Sequence, residues 1–464
     1  MRRLHSTSRA GNGSRPKKSN EGVPIPCGAY FLSLGLENVR CFGAELQTLD
    51  LSAKSGGPAQ WTILLGNNGT GKTTVLQSLA MFGLVGTKRT IRLSFEHSLR
   101  RSKRYTAWNM SRCGSEHDGR LQVSAMPANG LRTRSGDFPS FQMGLPFRDG
   151  VAGAMASPSV EGVFFAPVCF GYGAARRTGT LPLSDGDLED TTASLFSDSA
   201  ELRSAEEWLA QLDWAASKTS VVQKRQKSTF EDVRKLLVQI LPDVNDIRIA
   251  APTETRPLPR VEFETPFGWT PLRSLGFGYQ SLITWMVDFA SHMVELYPDS
   301  HDPLAEPAVV LVDEIDLHLH ATWQRDLMAY LTKRFPNTQF IVTAHSPLIV
   351  QAAAEVDANI ALLRREGDHV VIDNDIEAVR GWRVDQVLTS DLFGLPSARP
   401  PALDGIIKRR EEILLKPRVS KADQAELARL EKQIGWLPAG ETAAEAAKNM
   451  RLVEETLELL RKKP

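Results

Sequence analysis

The chain has 464 residues, long enough for two to four compact units or one large domain with insertions. Its 55 Lys and Arg balance 55 Asp and Glu, so net charge singles out neither nucleic acid nor a membrane surface as a partner. Four scattered cysteines, none in a C-x-x-C pair, exclude a disulfide framework or a zinc ribbon and fit a reducing cytoplasm, and no apolar run is long enough for a membrane span.

Residues 1–25 are basic with no apolar run behind them, which predicts a disordered tail and not a secretory signal. From residue 30, "YFLSLGLENVRCFG", "AELQTLDL" and "WTILLG" alternate short apolar runs with turns and predict strands. "GKTTVLQSLAMFGLVG" then carries helical apolar spacing. Residues 85–163, rich in Gly, Ser, Pro and Arg, predict an irregular β-rich insertion, and its basic run Arg100–Arg104, next to Tyr105 and Trp108, is a candidate nucleic-acid contact. "GVFFAPVCFGYGAARR" is an apolar strand entering a glycine turn. Residues 190–245 predict a helical insertion, on the three- and four-residue spacing of "SAEEWLAQLDWA" and "FEDVRKLLVQIL".

From 279 the pattern is helix (279–297), strand (308–313), helix (321–334), strand (338–343), helix (346–353), then a hairpin in "IALLRREGDHVVID". That alternation implies a parallel α/β core. Residues 379–464 predict a C-terminal helical region. Ser420 with Asp423 and Thr442 with Glu445 have the spacing of capping boxes, and Met450, Val453, Leu457 and Leu460 share one helix face.

"GNNGTGKTT", Gly66 to Thr74, matches G-x-x-x-x-G-K-[ST], with a strand before it and a helix after it. Gly66, Asn67, Asn68, Gly69, Thr70 and Gly71 turn backbone N–H groups towards phosphate oxygens, and the helix N-terminus adds partial positive charge. Lys72 reaches the β- and γ-phosphates, Thr73 offers a hydroxyl to Mg²⁺, and Thr74 continues the loop into the helix. The apolar strand "PAVVLVDE" ends in two acids: Asp313 as the Mg²⁺ ligand and Glu314 as the general base for an attacking water. The next strand ends at His345, within reach of a γ-phosphate. His318 and His320 are two apart with no third ligand nearby, so they are read as shaping the loop after the strand, with Asp316, rather than as a metal site.

Together these elements resemble the ABC-type ATPase heads of the SMC and RecF class, over about 30–84 and 164–378, and Lys72, Asp313, Glu314 and His345 match the catalytic motifs of that class. The resemblance implies an ABC-type P-loop NTPase fold, a mixed, mostly parallel sheet, for residues 26–378. It implies ATP and Mg²⁺ as cofactors, ATP hydrolysis, and a dimer or higher oligomer that sandwiches ATP. "LGFGYQSL" corresponds to the signature motif that completes a second copy's ATP site, with Gly276 in place of the usual serine and Gly278 retained. Arg40 sits where such heads place an arginine near the nucleotide. "YGAARR", 172–177, corresponds to a loop that senses Mg²⁺ and substrate, without the usual glutamine.

"GYQS", "DEIDLHLHATWQ", "FPNTQFIVTAHSP" and "VDQVLTSDLFGLP" resemble more closely the ATPases of bacterial anti-phage systems, the Septu type and those encoded with retrons. That resemblance implies a cytoplasmic sensor or regulator of a separately encoded effector, such as an HNH nuclease. No second catalytic centre is legible in this chain. The alternative is a RecF-like, DNA-binding ATPase of DNA repair; a transporter's ATPase subunit fits less well.

Overall fold

The computed structural model describes residues 28–85, 92–93, 119–128, 141–148, 151–152, 159–160, 163–164, 167–179, 190–220, 223–254, 257, 259–376, 379, 381–395, 398, 400–416 and 420–434. The basic tail, the Arg100–Arg104 run, Thr442 with Glu445 and the 450–460 helix face lie outside these residues. The chain divides into two compact units, Met1–Ala378 and Val379–Pro464.

The first unit is built around a six-stranded sheet. Its spatial order is Cys169–Tyr172, Ala308–Val312, Thr338–Thr343, Trp61–Gly66, Asn359–Glu366 and His369–Asp373. The first five strands are mutually parallel and the last pairs antiparallel. Continuous apolar runs make this possible. Every residue of Ala308–Val312 and of Thr338–Thr343 is buried, as expected of parallel strands covered on both faces. Trp61 stacks on Phe340 across neighbouring strands, ring centroids 4.3 Å apart, and its indole N–H donates to Thr332 Oγ1 at 2.8 Å.

This strand order positions the site. The C-terminal ends of parallel strands share one edge, where open α/β sheets bind ligands. Gly66, Val312, Thr343 and Tyr172 all end there, so the loops that follow them converge. The strand Thr338–Thr343 lies between the phosphate-loop strand and the acidic strand, and its last residues reach both.

A second, antiparallel sheet runs in the order Gln47–Asp50, Ala29–Glu37, Gly119–Pro127, Phe141–Arg148 and Val151–Ala152. Within 85–163 the expected β character is seen in Gly119–Pro127, which pairs with Ala29–Glu37 from Ala29↔Pro127 to Glu37↔Arg120 and is an interior strand of this sheet. Phe31, Leu34, Leu36, Leu121 and Val123 of this sheet bury against Val75, Leu76 and Leu79 of the helix Lys72–Ala80. Residues around most of that helix's circumference are buried, polar Thr74, Gln77 and Ser78 included, because it is covered on more than one side.

The helical reading of 190–245 holds over Ala205–Ser217 and Gln223–Ile240 and differs at its start. Residues 190–204 form a short 3₁₀ turn, Ala193–Leu195, and a two-residue strand, Glu201–Leu202. The Asp190 carboxylate accepts from Thr192 N at 2.9 Å and Thr192 Oγ1 at 2.6 Å, a local bond set that competes with helix. The helix starts only at Ala205, where Ser204 caps Glu207 N. It pairs with Gln223–Ile240 and packs on an antiparallel three-stranded sheet, 246–250, 260–265 and 268–271. The helix Phe277–Leu296 follows.

The second unit contains the helices Val384–Thr389, Asp404–Leu414 and Lys421–Ile434. The last opens on the expected capping box: Asp423 N donates to Ser420 Oγ at 3.1 Å and Ser420 N to Asp423 Oδ2 at 3.0 Å. Among the described residues no helix is long and apolar enough to cross a membrane.

Candidate functional site

The phosphate loop owes its shape to glycines. Gly66, Gly69 and Gly71 have φ of 143°, 78° and 82°. A Cβ on Gly66 would lie 2.5 Å from Leu363 O, and one on Gly71 would collide with Cys41 Sγ, so the packing as well as the backbone angle requires glycine at both. Thr70 Oγ1 donates to Asn67 O at 2.8 Å and closes the turn. Gly71 caps the helix Lys72–Ala80 without a side-chain bond, which leaves first-turn N–H groups to an anion.

Lys72 folds back over the loop. Its Nζ donates to Gly66 O at 2.7 Å and Asn67 O at 3.0 Å, and only 7% of the residue is exposed. Burial lowers its pKa, while Asp313, Glu314 and Asp316 pull it back up. Arg40 donates from Nη1 to Gln77 Oε1 at 3.1 Å and to Thr74 Oγ1 at 3.5 Å, which fixes its guanidinium on the phosphate-loop helix.

Asp313 is 7% exposed and both its oxygens are engaged. Oδ2 accepts from Thr73 Oγ1 at 2.6 Å and Oδ1 from Thr343 Oγ1 at 2.6 Å. The Thr73 hydroxyl and the Asp313 carboxylate thus meet at the mouth of the loop, a pair of hard oxygen donors suited to Mg²⁺, which takes one or two protein oxygens and fills its shell with phosphate and water. Glu314 adopts φ 49°, a left-handed conformation held from both sides. Its N–H donates to Thr343 Oγ1 at 2.7 Å and its carbonyl accepts from Arg176 Nη2 at 2.7 Å. These main-chain bonds leave its carboxylate out of the bracing.

His345 is exposed, and its backbone N–H donates to Asp316 Oδ1 and Oδ2 at 3.3 and 3.2 Å. Gln324 ties the two loops together: Nε2 donates to Leu319 O at 2.9 Å, and Oε1 accepts from Ser346 Oγ at 2.5 Å. His320 caps its own helix through Thr322 N, and among the described residues no group of three or more His, Cys, Asp or Glu is gathered as a metal site.

The structure therefore brings Lys72, Thr73, Asp313, Glu314, His345 and Arg40 to one end of the sheet. Gly276 and Gly278 lie at the start of the helix Phe277–Leu296. Gly276 is its N-cap, with no side-chain cap bond, and a Cβ on Gly278 would collide with the His318 carbonyl in the acidic loop. Thr343, Arg176 and Gln324 are braces that motif reading passes over. The only signal for Thr343 is a polar residue at the end of an apolar strand.

Thr343→Val keeps the shape and removes both hydroxyl bonds. Unsatisfied buried groups cost about 1–3 kcal/mol. The expected result is a lower melting temperature, read by thermal scanning, and turnover reduced by about tenfold or more as the acids lose their register.

Two family models match the chain, one described as "AAA domain, putative AbiEii toxin, Type IV TA system" over residues 170–351 and one as "AAA domain" over 33–109. The Septu protein PtuA of Bacillus mycoides (strain KBAB4) is 24% identical over 395 residues, 83% of this chain and 48% of that protein. The Retron Ec83 probable ATPase of Escherichia coli is 29% identical over 174 residues, 37% of this chain and 30% of that protein. This chain thus spans about half the length, or less, of these curated relatives. A crystal structure of an SMC head bound to the C-winged helix domain of ScpA overlaps 74% of this chain and 97% of its own, at 13% identity and a TM-score of 0.43, and no function follows from so distant an overlap. The chain is accordingly similar to the Septu and retron ATPases, and the two matching AAA-domain models span its phosphate loop and its acidic strand.

Proposed function

We propose that the chain binds ATP with Mg²⁺ and hydrolyses it, and that two copies close over the nucleotide as a switch acting on a separately encoded effector in anti-phage defence. The observation that carries the reading is the Thr73–Asp313 pair, 2.6 Å apart beneath a glycine-turned phosphate loop, with Glu314 next in sequence. When bound, Mg²⁺ supplies charge to the β- and γ-phosphates; Thr73 and Asp313 would hold it. Lys72 neutralises the same phosphates. Glu314 accepts a proton from the attacking water, and His345 reaches the γ-phosphate edge. Arg40 stabilises the nucleotide from the phosphate-loop helix. The Gly276–Gly278 segment of a second copy offers the uncapped N-terminus of a helix to the γ-phosphate, through backbone N–H groups alone.

The names of the Septu and retron relatives support the defence setting. The test is phosphate release by the purified chain. Release is expected to saturate with ATP, to stop when Mg²⁺ is chelated, and to rise per subunit with protein concentration. Bound ATP without phosphate release, alone and with the products of neighbouring genes, would reduce the chain to a nucleotide-binding module.

A further inference from the structure

The segment Tyr172–Thr178 links the acidic loop to the helix Phe277–Leu296. It begins at the end of the strand beside the acidic strand, where Asp313 N donates to Tyr172 O at 2.8 Å. It is then fastened to the helix at three points. The Tyr172 hydroxyl donates to Asp288 Oδ2 at 2.9 Å, Arg176 Nη1 donates to Ser281 Oγ at 3.3 Å, and the Thr178 and Thr284 hydroxyls are 2.9 Å apart. Ser281, Thr284 and Asp288 follow a three- and four-residue spacing, so the fastenings lie along one helix face.

Arg176 is the centre of this strap. Its Nη2 donates to Asp313 O at 2.5 Å and Glu314 O at 2.7 Å, while Nη1 reaches Ser281. The residue is 5% exposed and adopts φ 38°, a left-handed conformation that a residue with a β-carbon adopts at a cost. Its Nε is buried with no partner among the described residues. A buried guanidinium that grips carbonyls instead of a carboxylate is costly to place. Its planar fork of donors is what allows one side chain to hold two separate elements, which a lysine ammonium on its single flexible stem does not reproduce.

We propose that Arg176 is a positioning residue that couples the ATP site to the helix beginning at Gly276, by clamping the carbonyls of Asp313 and Glu314 to Ser281. This rests on the ATPase reading above. Closure around the nucleotide shifts the acidic loop, and the clamp carries that shift to the segment a second copy would meet. Loss of the clamp leaves nucleotide binding intact and uncouples the helix from it.

Hydrogen–deuterium exchange with a non-hydrolysable ATP analogue and Mg²⁺ tests this on the full chain. In the unaltered protein, exchange is expected to slow over both 66–76 and 277–288. In Arg176→Lys and Ser281→Ala, protection over 66–76 is expected to persist, while nucleotide-dependent protection over 277–288 falls about fivefold or more, the lower end of ordinary coupling between sites. Equal protection of 277–288 in the unaltered protein and both variants overturns the coupling. So does parallel loss over both segments with a lowered melting temperature, which marks a fold-holding role only. No protection over 66–76 in the unaltered protein defeats the ATP reading itself, an outcome separate from the other two. If Arg176→Lys does not fold, Ser281→Ala breaks the same link from the helix side.

Discussion

Lys72→Ala is expected to abolish ATP binding at ordinary concentrations. Truncating one partner of a buried, charge-assisted contact costs about 2–5 kcal/mol, roughly 30-fold to several thousand-fold in affinity. Lys72 is placed for the full effect, because it is 7% exposed and its Nζ already lies over the loop on Gly66 O and Asn67 O. The loop keeps its shape without it: glycine angles and the Thr70–Asn67 bond set the turn. Equilibrium titration with ATP and Mg²⁺ measures the loss, and a thermal scan of the free protein separates it from unfolding. An affinity within about threefold of the unaltered chain would remove Lys72 from phosphate binding.

Glu314→Gln is expected to bind ATP and to stall. General-base removal costs about 10²–10⁴ in rate. The substitution is gentle on the structure for a specific reason. The left-handed turn at 314 is held by its N–H on Thr343 Oγ1 and its carbonyl under Arg176 Nη2, and glutamine keeps both. A drop in turnover with unchanged ATP affinity therefore reports the carboxylate alone. Single-turnover phosphate release is the measurement, and turnover within about threefold of the unaltered chain would move the base elsewhere.

The phosphate loop and the acidic strand were legible because each is a local signal. Eight residues in register with a strand before and a helix after them specify the loop, and an apolar run ending in Asp313–Glu314 specifies the strand. The braces were not legible because they are long-range and use main-chain groups. Thr343 meets Asp313 from 30 residues away, and Arg176 meets Asp313 and Glu314 across 137 and 138 residues. A carbonyl acceptor has no residue identity to read, so "YGAARR" drew notice as a loop while the role of its first arginine stayed hidden.

The same limit applied to the fold. The alternation in "GRLQVSAM" marks a strand, but pairing with Ala29–Glu37 spans more than eighty residues of chain, and strand partners are set by tertiary packing. Apolar spacing extends the helical reading back over residues 190–204 because it ignores the Asp190 turn and the Ser204 cap. Those side-chain bonds stop the helix short of where the pattern alone would start it.

The central claim is that ATP closes two copies of this chain on each other. The measurement that tests it most directly is the molar mass of Glu314→Gln by light scattering, with ATP and Mg²⁺, with ADP and Mg²⁺, and without nucleotide. The account predicts twice the mass with ATP, or a further doubling of any assembly already present, and no such change with ADP. The same mass in all three conditions, at concentrations where ATP is bound, would contradict it.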